Sequence, residues 1–472
     1  MIPARSMANR DVGVFGLARS GVSAVAALKA GGARVFAWDE DEGTRAQGER
    51  EGARIAPFAS WPWQRIRTVI LSPGVPLTHP EPHDVVRAAR EAGAETVGDV
   101  ELFAREIRPD RSKPGRAPVI AITGTNGKST TTALVGHILA SCGYQAETGG
   151  NIGRAALDLA PPTPRTIYVL EISSYQIDLA PGLVPNVAVL ANISPDHLER
   201  HGTLANYAAV KARLLQQAAP DGYIVAGVDD SYTAAIYTRL AATHGASAIP
   251  VSVGKVLGRG VFAVDGTLYD AWSNGATKVM SLAQAVRLPG AHNWQNAALA
   301  YAAARPFVKD SRSIASAIAS FPGLAHRMEE LGRVGRVRFV NDSKATNAGA
   351  ASRSLACYSD IFWIAGGRPK TGGIEPLLVH AASIRKTYLI GEAAEEFAGV
   401  LKGSVEVQIC GTLERAVAAA YADAARARAS SPVVLLAPAC ASFDHFRDFE
   451  ERGERFRALV AELAGSGERE AS

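Results

Sequence analysis

Short apolar runs, each followed by glycine or polar residues, recur along the chain and alternate with longer stretches of mixed polarity. In the N-terminal part these runs are Val12–Phe15, Val35–Trp38 and Thr68–Leu71, and the helix-like stretch Val22–Ala30 separates the first two. Short strands that alternate with helices of this length are typical of a parallel sheet. We therefore expect the chain to begin with an α/β unit.

The segment 108–118 interrupts this pattern, because it is charged and rich in proline and glycine, which is a linker composition. A second unit follows, with apolar runs at Val119–Thr123, Thr166–Leu170 and Val187–Leu190. Its pattern closes near residues 321–324. The same alternation of strands and helices predicts a second parallel sheet.

A third unit starts with the strand-like stretch Arg333–Val340 and continues with the apolar runs Ile361–Ala365 and Val433–Ala437. Alanine-rich helical stretches lie between these runs. The predicted fold class is therefore α/β in three domains, with a Rossmann-like N-terminal domain, a central P-loop ATPase sheet and a Rossmann-like C-terminal domain. The predicted domain boundaries are 1–112, 113–324 and 325–472.

The composition is that of an ordinary globular protein, since 47% of the 472 residues are hydrophobic and 20% are charged. A formal net charge of +4 with scattered arginines argues against a nucleic-acid binder. The four cysteines form no CxxC pair, so neither a zinc site nor a disulfide framework is expected. The chain shows no signal peptide and no apolar run of about 18 residues. We predict a cytoplasmic monomer without nucleic-acid or membrane partners.

Residues 121–130, with the sequence AITGTNGKST, give the strongest chemical signal in the chain, because they join a predicted strand to a helix. Glycines in such a turn let backbone N–H groups surround phosphate oxygens, and the start of the helix adds partial positive charge. Lys128 would reach the terminal phosphates, and the hydroxyl of Ser129 would bind Mg²⁺. The loop departs from the common GxxxxGK[ST] pattern, because Ile122 replaces the first glycine. We predict an ATP or GTP site here.

A second glycine loop, Gly16–Gly21, also follows a strand and precedes a helix. Ala18 stands where the dinucleotide-binding pattern GxGxxG has its second glycine. The loop could hold a phosphate at the helix start, while Asp39 at the end of the next strand accepts hydrogen bonds from a ribose. It could equally be an ordinary turn between a strand and a helix.

Three residues of the central unit could take part in metal or acyl chemistry. Glu171 ends a strand beside the P-loop, which suits either a Mg²⁺ ligand or a surface glutamate. His197 follows Asp196 in a loop, where it could bind a second metal, hydrogen-bond a substrate or be solvated. Lys211 lies in a helical pattern, which by itself predicts a surface lysine.

Three polar loops follow strands of the C-terminal unit: Asn341–Asn347, Gly366–Gly373 and Pro438–Gly453. The first loop places Asp342 and Lys344 directly after a strand, and the second is basic and rich in glycine. Open α/β sheets bind ligands at the carboxyl ends of their strands. Together the loops predict a site for a carboxylate, a phosphate or a ribose.

Motifs along the whole chain resemble the Mur ligases, the amide-forming enzymes of peptidoglycan assembly. The matching motifs are GLARSG, SPG at 72–74, TGTNGKST, GGNIG at 149–153, LEISSYQ, NISPDHLERHGT, YAAVK, GAHNWQN, AHRME, NDSKATN, AGGRPK and PACASFDHFRDFEERG. The P-loop is shared by all Mur ligases and by folylpolyglutamate synthase. NDSKATN and the last motif are more specific to the members that add D-glutamate. GLARSG departs from the family, whose N-terminal loop varies, and this bears only on the choice of uridine contacts.

The resemblance implies ATP-dependent ligation of D-glutamate to UDP-N-acetylmuramoyl-L-alanine, with one domain each for the UDP-sugar, ATP and the amino acid. In this family ATP phosphorylates the muramoyl-alanine carboxylate, the amine of the amino acid attacks the acyl phosphate, and phosphate leaves. Two anions must approach each other, so cations have to offset their repulsion. The resemblance accordingly implies two Mg²⁺ ions, and it predicts that the C-terminal domain closes on ATP.

The functional residues of the family are carried over position by position. Lys128, His197 and Lys211 are implied to be catalytic, and Lys211 is similar to the family lysine that reacts with CO₂ to form a carbamate. The implied Mg²⁺ ligands are Ser129, Glu171, His197 and the carbamate of Lys211. The implied ATP contacts are Gly124, Thr125, Asn126, Gly127, Lys128, Ser129, Thr130, Asn293, Arg327 and Asp342. The implied contacts to the UDP-substrate are Ser20, Asp39, Ser72, Gly74 and Asn151, and those to D-glutamate are Lys344, Thr346, Lys370, Ser442 and Phe449.

Three other functions fit part of the pattern. A sibling ligase or folylpolyglutamate synthase would share the P-loop, but the Asp-Asn-Pro-Arg motif expected of the diaminopimelate or lysine ligase is absent from the sequence. A P-loop switch or motor ATPase would turn over ATP without any amino acid. A dehydrogenase would use Gly16–Gly21 for NAD, and it leaves the P-loop unexplained.

Overall fold

The computed structural model describes residues 1–107, 117–273, 275–369 and 372–470, with side chains described as far as Gly465. Contacts divide the chain into two compact units. Unit 1 comprises Met1–Gln284 with Asn293–Ser320, and unit 2 comprises Ala285–His292 with Phe321–Ser472. Most of the predicted linker 108–118 lies outside the described residues, so the boundary near residue 112 stays a prediction.

The first sheet of unit 1 has five parallel strands. They are β1 (Asp11–Phe15), β2 (Arg34–Trp38), β3 (Arg54–Ile55), β4 (Thr68–Leu71) and β5 (Glu95–Val97). Their order across the sheet is β3-β2-β1-β4-β5. The accompanying helices are α1 (Arg19–Ala30), α2 (Glu42–Arg50), α3 (Asp84–Glu91) and α4 (Asp99–Ile107). The strand order reverses at β1, which is where open α/β sheets form a ligand crevice.

The second sheet of unit 1 has nine strands. They are β6 (Val119–Thr123), β7 (Gln145–Gly150), β8 (Thr166–Glu171), β9 (Val187–Leu190), β10 (Tyr223–Gly227), β11 (Ala248–Val253), β12 (Gly260–Val264), β13 (Thr267–Ala271) and β14 (Thr277–Ser281). Their order is β14-β13-β12-β11-β10-β9-β6-β8-β7. The pairs β12–β13 and β13–β14 are antiparallel, and the other neighbours are parallel. The P-loop therefore leaves β6 between two buried parallel neighbours.

The helices of this part of the chain lie between these strands or follow the last of them. They are α5 (Lys128–Ser141), α6 (Ser174–Asp178), α7 (Leu198–His201), α8 (Leu204–Gln216), α9 (Ser231–His244), α10 (Ala291–Ala304) and α11 (Ser311–Ala319). The start of α6 carries a capping box, in which Ser173 and Gln176 satisfy each other's backbone N–H groups. This cap fixes the turn directly after Glu171, the last residue of β8.

The sheet of unit 2 has six strands. They are β15 (Glu329–Val334), β16 (Val337–Asn341), β17 (Ile361–Gly366), β18 (Ile384–Ile390), β19 (Val407–Gly411) and β20 (Val433–Leu436), in the order β15-β16-β20-β17-β18-β19. Only the pair β15–β16 is antiparallel among these described strands. The helices are α12 (Ala348–Leu355), α13 (Ala394–Leu401), α14 (Leu413–Arg426) and α15 (Phe449–Glu470).

The α/β fold class with three sheets is confirmed. The prediction of a single strand at Arg333–Val340 is wrong. Gly335 has a φ of +57° and turns the chain, so that β15 and β16 form a hairpin instead. The antiparallel edge β12–β14 was not predicted. No helix in the described ranges is both long and apolar enough to cross a lipid bilayer.

The hydrophobic core of unit 1 is continuous from its first sheet to its second. One cluster of buried side chains runs from Ile2 and Val14 through Leu102 to Leu170 and Ala248. In unit 2, two clusters cover the two faces of the sheet, with Leu435 in one and Leu436 in the other. Successive strand residues point to opposite faces, which accounts for this division.

Candidate active site

The P-loop lies at the carboxyl end of β6, where the chain turns into α5. Gly127 has a φ of +82°, and a Cβ there would lie 2.2 Å from Asn296 Oδ1, so this position requires glycine. Lys128 Nζ donates hydrogen bonds to the carbonyl oxygens of Gly124 at 2.9 Å and Thr125 at 2.8 Å. The ammonium group thus lies against the turn at the positive end of α5, where phosphate groups bind favourably.

Asparagine side chains hold the P-loop from two directions. Asn126 N–H donates to Asn192 Oδ1 at 3.0 Å, and Asn192 Nδ2 donates back to the Asn126 carbonyl at 3.2 Å. On α10, Asn296 Nδ2 donates to Asn293 Oδ1 at 2.9 Å, while Asn296 Oδ1 accepts from the hydroxyl of Thr131 on α5 at 3.3 Å. Asn296 thus connects Asn293 to the P-loop helix α5.

Ser129 and Glu171 meet directly. Ser129 lies in the first turn of α5, and its Oγ is 2.5 Å from Glu171 Oε2, because β6 and β8 are neighbouring strands. The other carboxylate oxygen, Oε1, accepts a hydrogen bond from Asn151 Nδ2 at 2.7 Å. Ser129 is 4% exposed and Glu171 is 2% exposed, so the surface-glutamate alternative is wrong. One hydroxyl, one carboxylate and one amide thus share a single place beside the P-loop.

The donor set at this place fits a hard cation. Mg²⁺ prefers oxygen ligands and is commonly held by few protein groups, with substrate phosphates completing its coordination. Ser129 and Glu171 offer such oxygens at the P-loop. In the described part of the chain, no three histidine, cysteine, aspartate or glutamate side chains are close enough to hold a metal by themselves. A Mg²⁺ ion here would therefore depend on the phosphates of a bound nucleotide.

Lys211 is buried, so the surface lysine that its helical pattern suggests is wrong. It is 1% exposed, and its Nζ donates to the Gly124 carbonyl at 2.9 Å and to Thr123 Oγ1 at 3.3 Å. Burial lowers the pKa of the amine well below its ordinary value, and the nearby charge of Lys128 lowers it further. Asp196 and Glu171 oppose this effect on the pKa without overcoming it. The surroundings of Lys211 thus favour the neutral form of its amine beside the P-loop.

His197 is connected to Lys211 through a row of aromatic rings. Its Nδ1 lies 2.9 Å from the hydroxyl of Tyr175, and its Nε2 lies 3.5 Å from Asp196 Oδ2. The ring of His201 stacks on Tyr175 and also contacts Tyr207, whose own ring lies 4.6 Å from Lys211 Nζ. His197 has a φ of +54° and a partly exposed ring, so it lies on a loop at the edge of this row.

Residues predicted to bind the UDP-substrate lie at the carboxyl end of the first sheet. Asp39 follows β2, and its carboxylate accepts hydrogen bonds from the N–H groups of Leu17 at 2.5 Å and Asp41 at 2.9 Å. Ser72 follows the neighbouring strand β4 and donates its N–H to the Phe15 carbonyl at 2.9 Å. Ser20 lies in the first turn of α1, the helix that follows β1, and Gly74 lies in the turn after β4.

Arg19 links this edge to the second sheet of unit 1. Its guanidinium donates to the carbonyl oxygens of Gly153 at 2.9 Å and Asn151 at 3.3 Å. Ser23, one turn further along α1, donates to Asp158 at 2.7 Å. Asn151 is thereby held both to Arg19 of α1 and to Glu171 of β8.

In unit 2, Asp342 follows β16 and is buried. Its Oδ1 accepts a hydrogen bond from the Met328 N–H at 3.2 Å, and its Oδ2 accepts one from the hydroxyl of Ser354. Burial raises the pKa of the carboxyl group, although these hydrogen bonds and the charge of Arg327 act against the rise. Arg327 directly precedes Met328, whose N–H donates to Asp342, so Arg327 and Asp342 lie on neighbouring segments.

Some of the residues predicted to bind D-glutamate lie close to one another. Lys344 Nζ lies 3.6 Å from the centroid of the Phe449 ring, a cation–π contact. Thr346 donates its N–H to the Lys344 carbonyl at 2.8 Å. Ser442 is 2% exposed and lies in the loop after β20. Lys370 falls outside the described residues.

Arg452 connects two of these loops. No pattern in the sequence identified it as a residue of the candidate site. It is 1% exposed, and its guanidinium donates to the carbonyl of Ser343 at 2.9 Å and to those of Cys440 at 3.2 Å and Ala441 at 3.3 Å. Burial lowers its pKa to about 10. The loop with Lys344 and the loop with Ser442 are therefore fixed relative to each other.

Known proteins match nearly the whole of this chain. The sequence profile of the Mur ligase middle domain matches residues 122–304. The UDP-N-acetylmuramoylalanine–D-glutamate ligase of Phenylobacterium zucineum is 52% identical over 466 residues, which are 98% of this chain and 98% of that protein.

The chain belongs to the Mur ligase family.

Members of this family are ATP-dependent, amide-forming ligases of peptidoglycan synthesis, and the chain is an enzyme of this class. Solved Mur ligases share its fold at low identity. The UDP-N-acetylmuramate–alanine ligase of Thermotoga maritima has a TM-score of 0.59 at 17% identity, covering 96% of this chain and 99% of that one. The MurF ligase of Thermotoga maritima, solved in complex with ADP, has a TM-score of 0.57 at 16% identity. The match covers 99% of this chain and 97% of that one.

Two residues beside Lys211 and His197 could have been found from the sequence. Tyr207 stands four positions before Lys211, and residues at this spacing share one face of a helix. Tyr175 lies within the motif LEISSYQ that also contains Glu171. No comparable signal marks Arg19 or Arg452, because an arginine near a helix start is ordinarily solvated.

Proposed function

We propose that this Mur ligase uses ATP to join D-glutamate to UDP-N-acetylmuramoyl-L-alanine. The observation that carries the proposal is the 52% identity over 98% of the chain to a protein named for this reaction. That match extends through the C-terminal loops, which the proposal assigns to the amino acid. The D configuration of the glutamate rests on this relationship alone.

The first chemical step is attack by an oxygen of the muramoyl-alanine carboxylate on the γ-phosphorus of ATP. The new O–P bond forms as the bond to the bridging oxygen breaks, which gives an acyl phosphate and ADP. Lys128 and the N-terminal end of α5 offset the negative charge of the approaching anions. The backbone of Gly124–Thr130 surrounds the phosphates, and Asn293, Arg327 and Asp342 are the further ATP contacts.

The second step is attack by the amine of D-glutamate on the acyl carbon. A C–N bond forms, the tetrahedral intermediate collapses with loss of phosphate, and the nitrogen releases a proton. The pocket for the amino acid consists of Lys344, Thr346, Lys370, Ser442 and Phe449. The ammonium group of Lys344, held over the Phe449 ring, suits a carboxylate of the incoming glutamate.

Two Mg²⁺ ions belong to the proposal. Ser129 and Glu171 would hold the first, and His197 together with a carbamate on Lys211 would hold the second. Bound there, the ions supply positive charge to the phosphate oxygens. The 2.5 Å contact between Ser129 and Glu171 supports the first assignment, because it brings two oxygen donors to one point beside the P-loop.

The carbamate forms when the neutral amine of Lys211 attacks the carbon of CO₂. An N–C bond forms, one C=O electron pair moves to oxygen, and the nitrogen releases a proton to solvent. Burial of Lys211 supports this step, because the lowered pKa provides the neutral amine that the reaction needs. The product is an anion, which replaces a buried cation by a metal-binding oxygen donor.

The remaining assignments concern the first sheet and the organisation of the chain. Ser20, Asp39, Ser72, Gly74 and Asn151 are proposed to bind the UDP-substrate. The domains are proposed to span 1–112, 113–324 and 325–472, for the UDP-substrate, ATP and the amino acid. All four cysteines are free thiols, which supports a reducing compartment and hence the cytoplasm. We propose that the enzyme is a monomer.

The test is phosphate release from ATP and UDP-N-acetylmuramoyl-L-alanine, with and without D-glutamate, L-glutamate, lysine or diaminopimelate. We expect release only with the nucleotide sugar and D-glutamate together. Release that needs another amino acid would replace the proposal by a sibling ligase. Release without any amino acid would replace it by a P-loop ATPase that forms no amide.

A further inference from the structure

His326 adopts a backbone conformation that most residues avoid. Its φ is +59°, and Met328, two residues later, has a φ of +47°. Such values favour glycine, so a histidine persists there only if its surroundings hold it. Arg327, a proposed ATP contact, lies between these two residues. The backbone conformation of Arg327 therefore depends on the contacts that hold His326 and Met328 in place.

The imidazole of His326 is held on both sides. It is 4% exposed, its Nδ1 lies 3.0 Å from Asn341 Nδ2, and its Nε2 lies 3.2 Å from Glu454 Oε1. The amide nitrogen of Asn341 also donates to Glu329 Oε2 at 3.2 Å and to the Gly453 carbonyl at 3.1 Å, so the ring lies within a connected polar cluster. A Cβ at Gly453 would lie 2.2 Å from Nδ1, so the start of α15 packs directly on the ring.

The same histidine reaches the other proposed ligand residues of unit 2. Its carbonyl accepts the N–H of Lys344 at 3.1 Å, and its ring centroid lies 6.4 Å from that of Phe449 in an edge-to-face arrangement. Asn341, its hydrogen-bond partner, directly precedes Asp342. Residues of both proposed groups thus surround His326, with Lys344 held by its backbone carbonyl and Phe449 in contact with its ring.

We propose that His326 is a positioning residue, which clamps Arg327, Asp342, Lys344 and Phe449 in the arrangement needed for reaction through its contacts with Asn341 and Glu454. This inference rests on the proposed function, because that function supplies the roles of the four clamped residues. The contacts of the imidazole offset the free-energy cost of the positive φ at His326. The same contacts fix the loop on both sides of Arg327.

Glycine and alanine variants separate the imidazole from the backbone effect. His326→Gly removes the ring and relieves the strained φ, whereas His326→Ala removes the ring and keeps the strain. We expect both variants to lower kcat on the order of 10-fold to 100-fold while the KM for the UDP-substrate, which binds in unit 1, stays unchanged. Asp265→Gly is the matched control, because Asp265 is exposed and also has a positive φ, of +49°.

Glu454 provides a second test that leaves His326 in place. Glu454→Gln keeps a polar side chain of the same shape beside Nε2, so its kcat should stay near that of the parent. Glu454→Ala removes the side chain that contacts Nε2, and we expect its kcat to fall. Addition of free imidazole should partly restore the activity of His326→Gly, an effect that a general loss of folding would not show.

Hydrogen exchange in the substrate-free protein tests the clamp independently of the reaction. We expect faster exchange of the amides in 342–347 and 449–453 for His326→Gly than for the parent or Asp265→Gly. If the parent fails to turn over D-glutamate yet this exchange accelerates, the clamp stands and the proposed function fails. If His326→Gly has parental kcat and parental exchange, the positioning role is overturned.

Discussion

The ring of Tyr207 lies 4.6 Å from Nζ of Lys211, one turn ahead of it on α8. Among the described residues, Lys211 Nζ has no carboxylate within ion-pair distance and hydrogen-bonds only to Gly124 and Thr123. An aromatic wall and two neutral oxygens are poor substitutes for water around an ammonium group. This environment makes the lysine the most informative single residue to change.

Replacement of Lys211 tests the carbamate. We expect Lys211→Ala to lose most ligase activity, because the anionic metal ligand disappears. Added acetate or a similar small carboxylate should restore part of it by occupying the freed space. The measurement is the rate of phosphate release at increasing acetate concentration, with Lys278→Ala as an exposed-lysine control. A Lys211→Ala enzyme as active as the parent would exclude the role.

The lowered pKa of Lys211 should also affect how the free energy of unfolding depends on pH. Between the lowered folded pKa and the ordinary value of 10.5, the unfolded chain binds a proton at Lys211 that the folded chain does not. The free energy of unfolding therefore rises with pH in this range, by up to about 1.4 kcal/mol per pH unit. Lys211→Met should be more stable than the parent at neutral pH and show a shallower rise.

Urea titrations in CO₂-depleted buffer at several pH values would measure this difference. Lys278→Met is the control, since Lys278 is exposed on β14 and its replacement should leave both the stability and its slope unchanged. Equal slopes for the parent and Lys211→Met would mean that the buried amine keeps its proton on folding.

The contact between Ser129 and Glu171 should govern the response to Mg²⁺. We expect Ser129→Ala to need a higher Mg²⁺ concentration for half-maximal activity, because one oxygen donor is lost. Glu171→Gln should lower kcat on the order of 10²-fold to 10³-fold at saturating Mg²⁺. The measurement is activity against Mg²⁺ concentration, with the exposed Glu91→Gln as control. Unchanged Mg²⁺ curves in both variants would remove these residues from the metal site.

Asp99, at the start of α4, should limit stability at neutral pH. It is fully buried, and burial raises the pKa of its carboxyl group to about 6, although the amides of Asp99 and Val100 and the charge of Arg19 favour the ionised form. Neither carboxylate oxygen meets the geometry of a hydrogen bond with the described residues. Between pH 3.8 and about 6 the folded chain binds the additional proton, so stability falls as pH rises through this range.

Asp99→Asn removes this ionisation. At pH 7 it should raise the free energy of unfolding by up to about 3 kcal/mol, the equivalent of the pKa shift, and it should flatten the pH dependence between 4 and 6. Urea denaturation across this range is the measurement, with the exposed Asp265→Asn as control. A variant less stable than the parent at pH 7 would show that the carboxylate is better solvated than its burial implies.

Local sequence determines how much of this site is predictable. The P-loop and Glu171 could be placed because a strand, a glycine turn and a helix fix the position of Ser129 relative to the end of β8. The burial of Lys211 could not, since helical periodicity identifies a face but not what packs on it. The hairpin β15–β16 was missed because Gly335 interrupts a run whose residues otherwise favour one strand. The contacts of Arg452 join two loops that lie far apart in sequence, which no local pattern encodes.

The continuous cluster from Ile2 to Ala248 affects how the protein can be divided experimentally. A fragment starting near residue 117 would expose the apolar surface that the first sheet now covers, and a fragment ending near residue 107 would expose its counterpart. We expect each fragment to aggregate when it is expressed alone. In the intact protein, we expect both sheets to unfold in a single thermal transition. The boundary proposed near residue 112 thus separates binding roles and not units that fold alone.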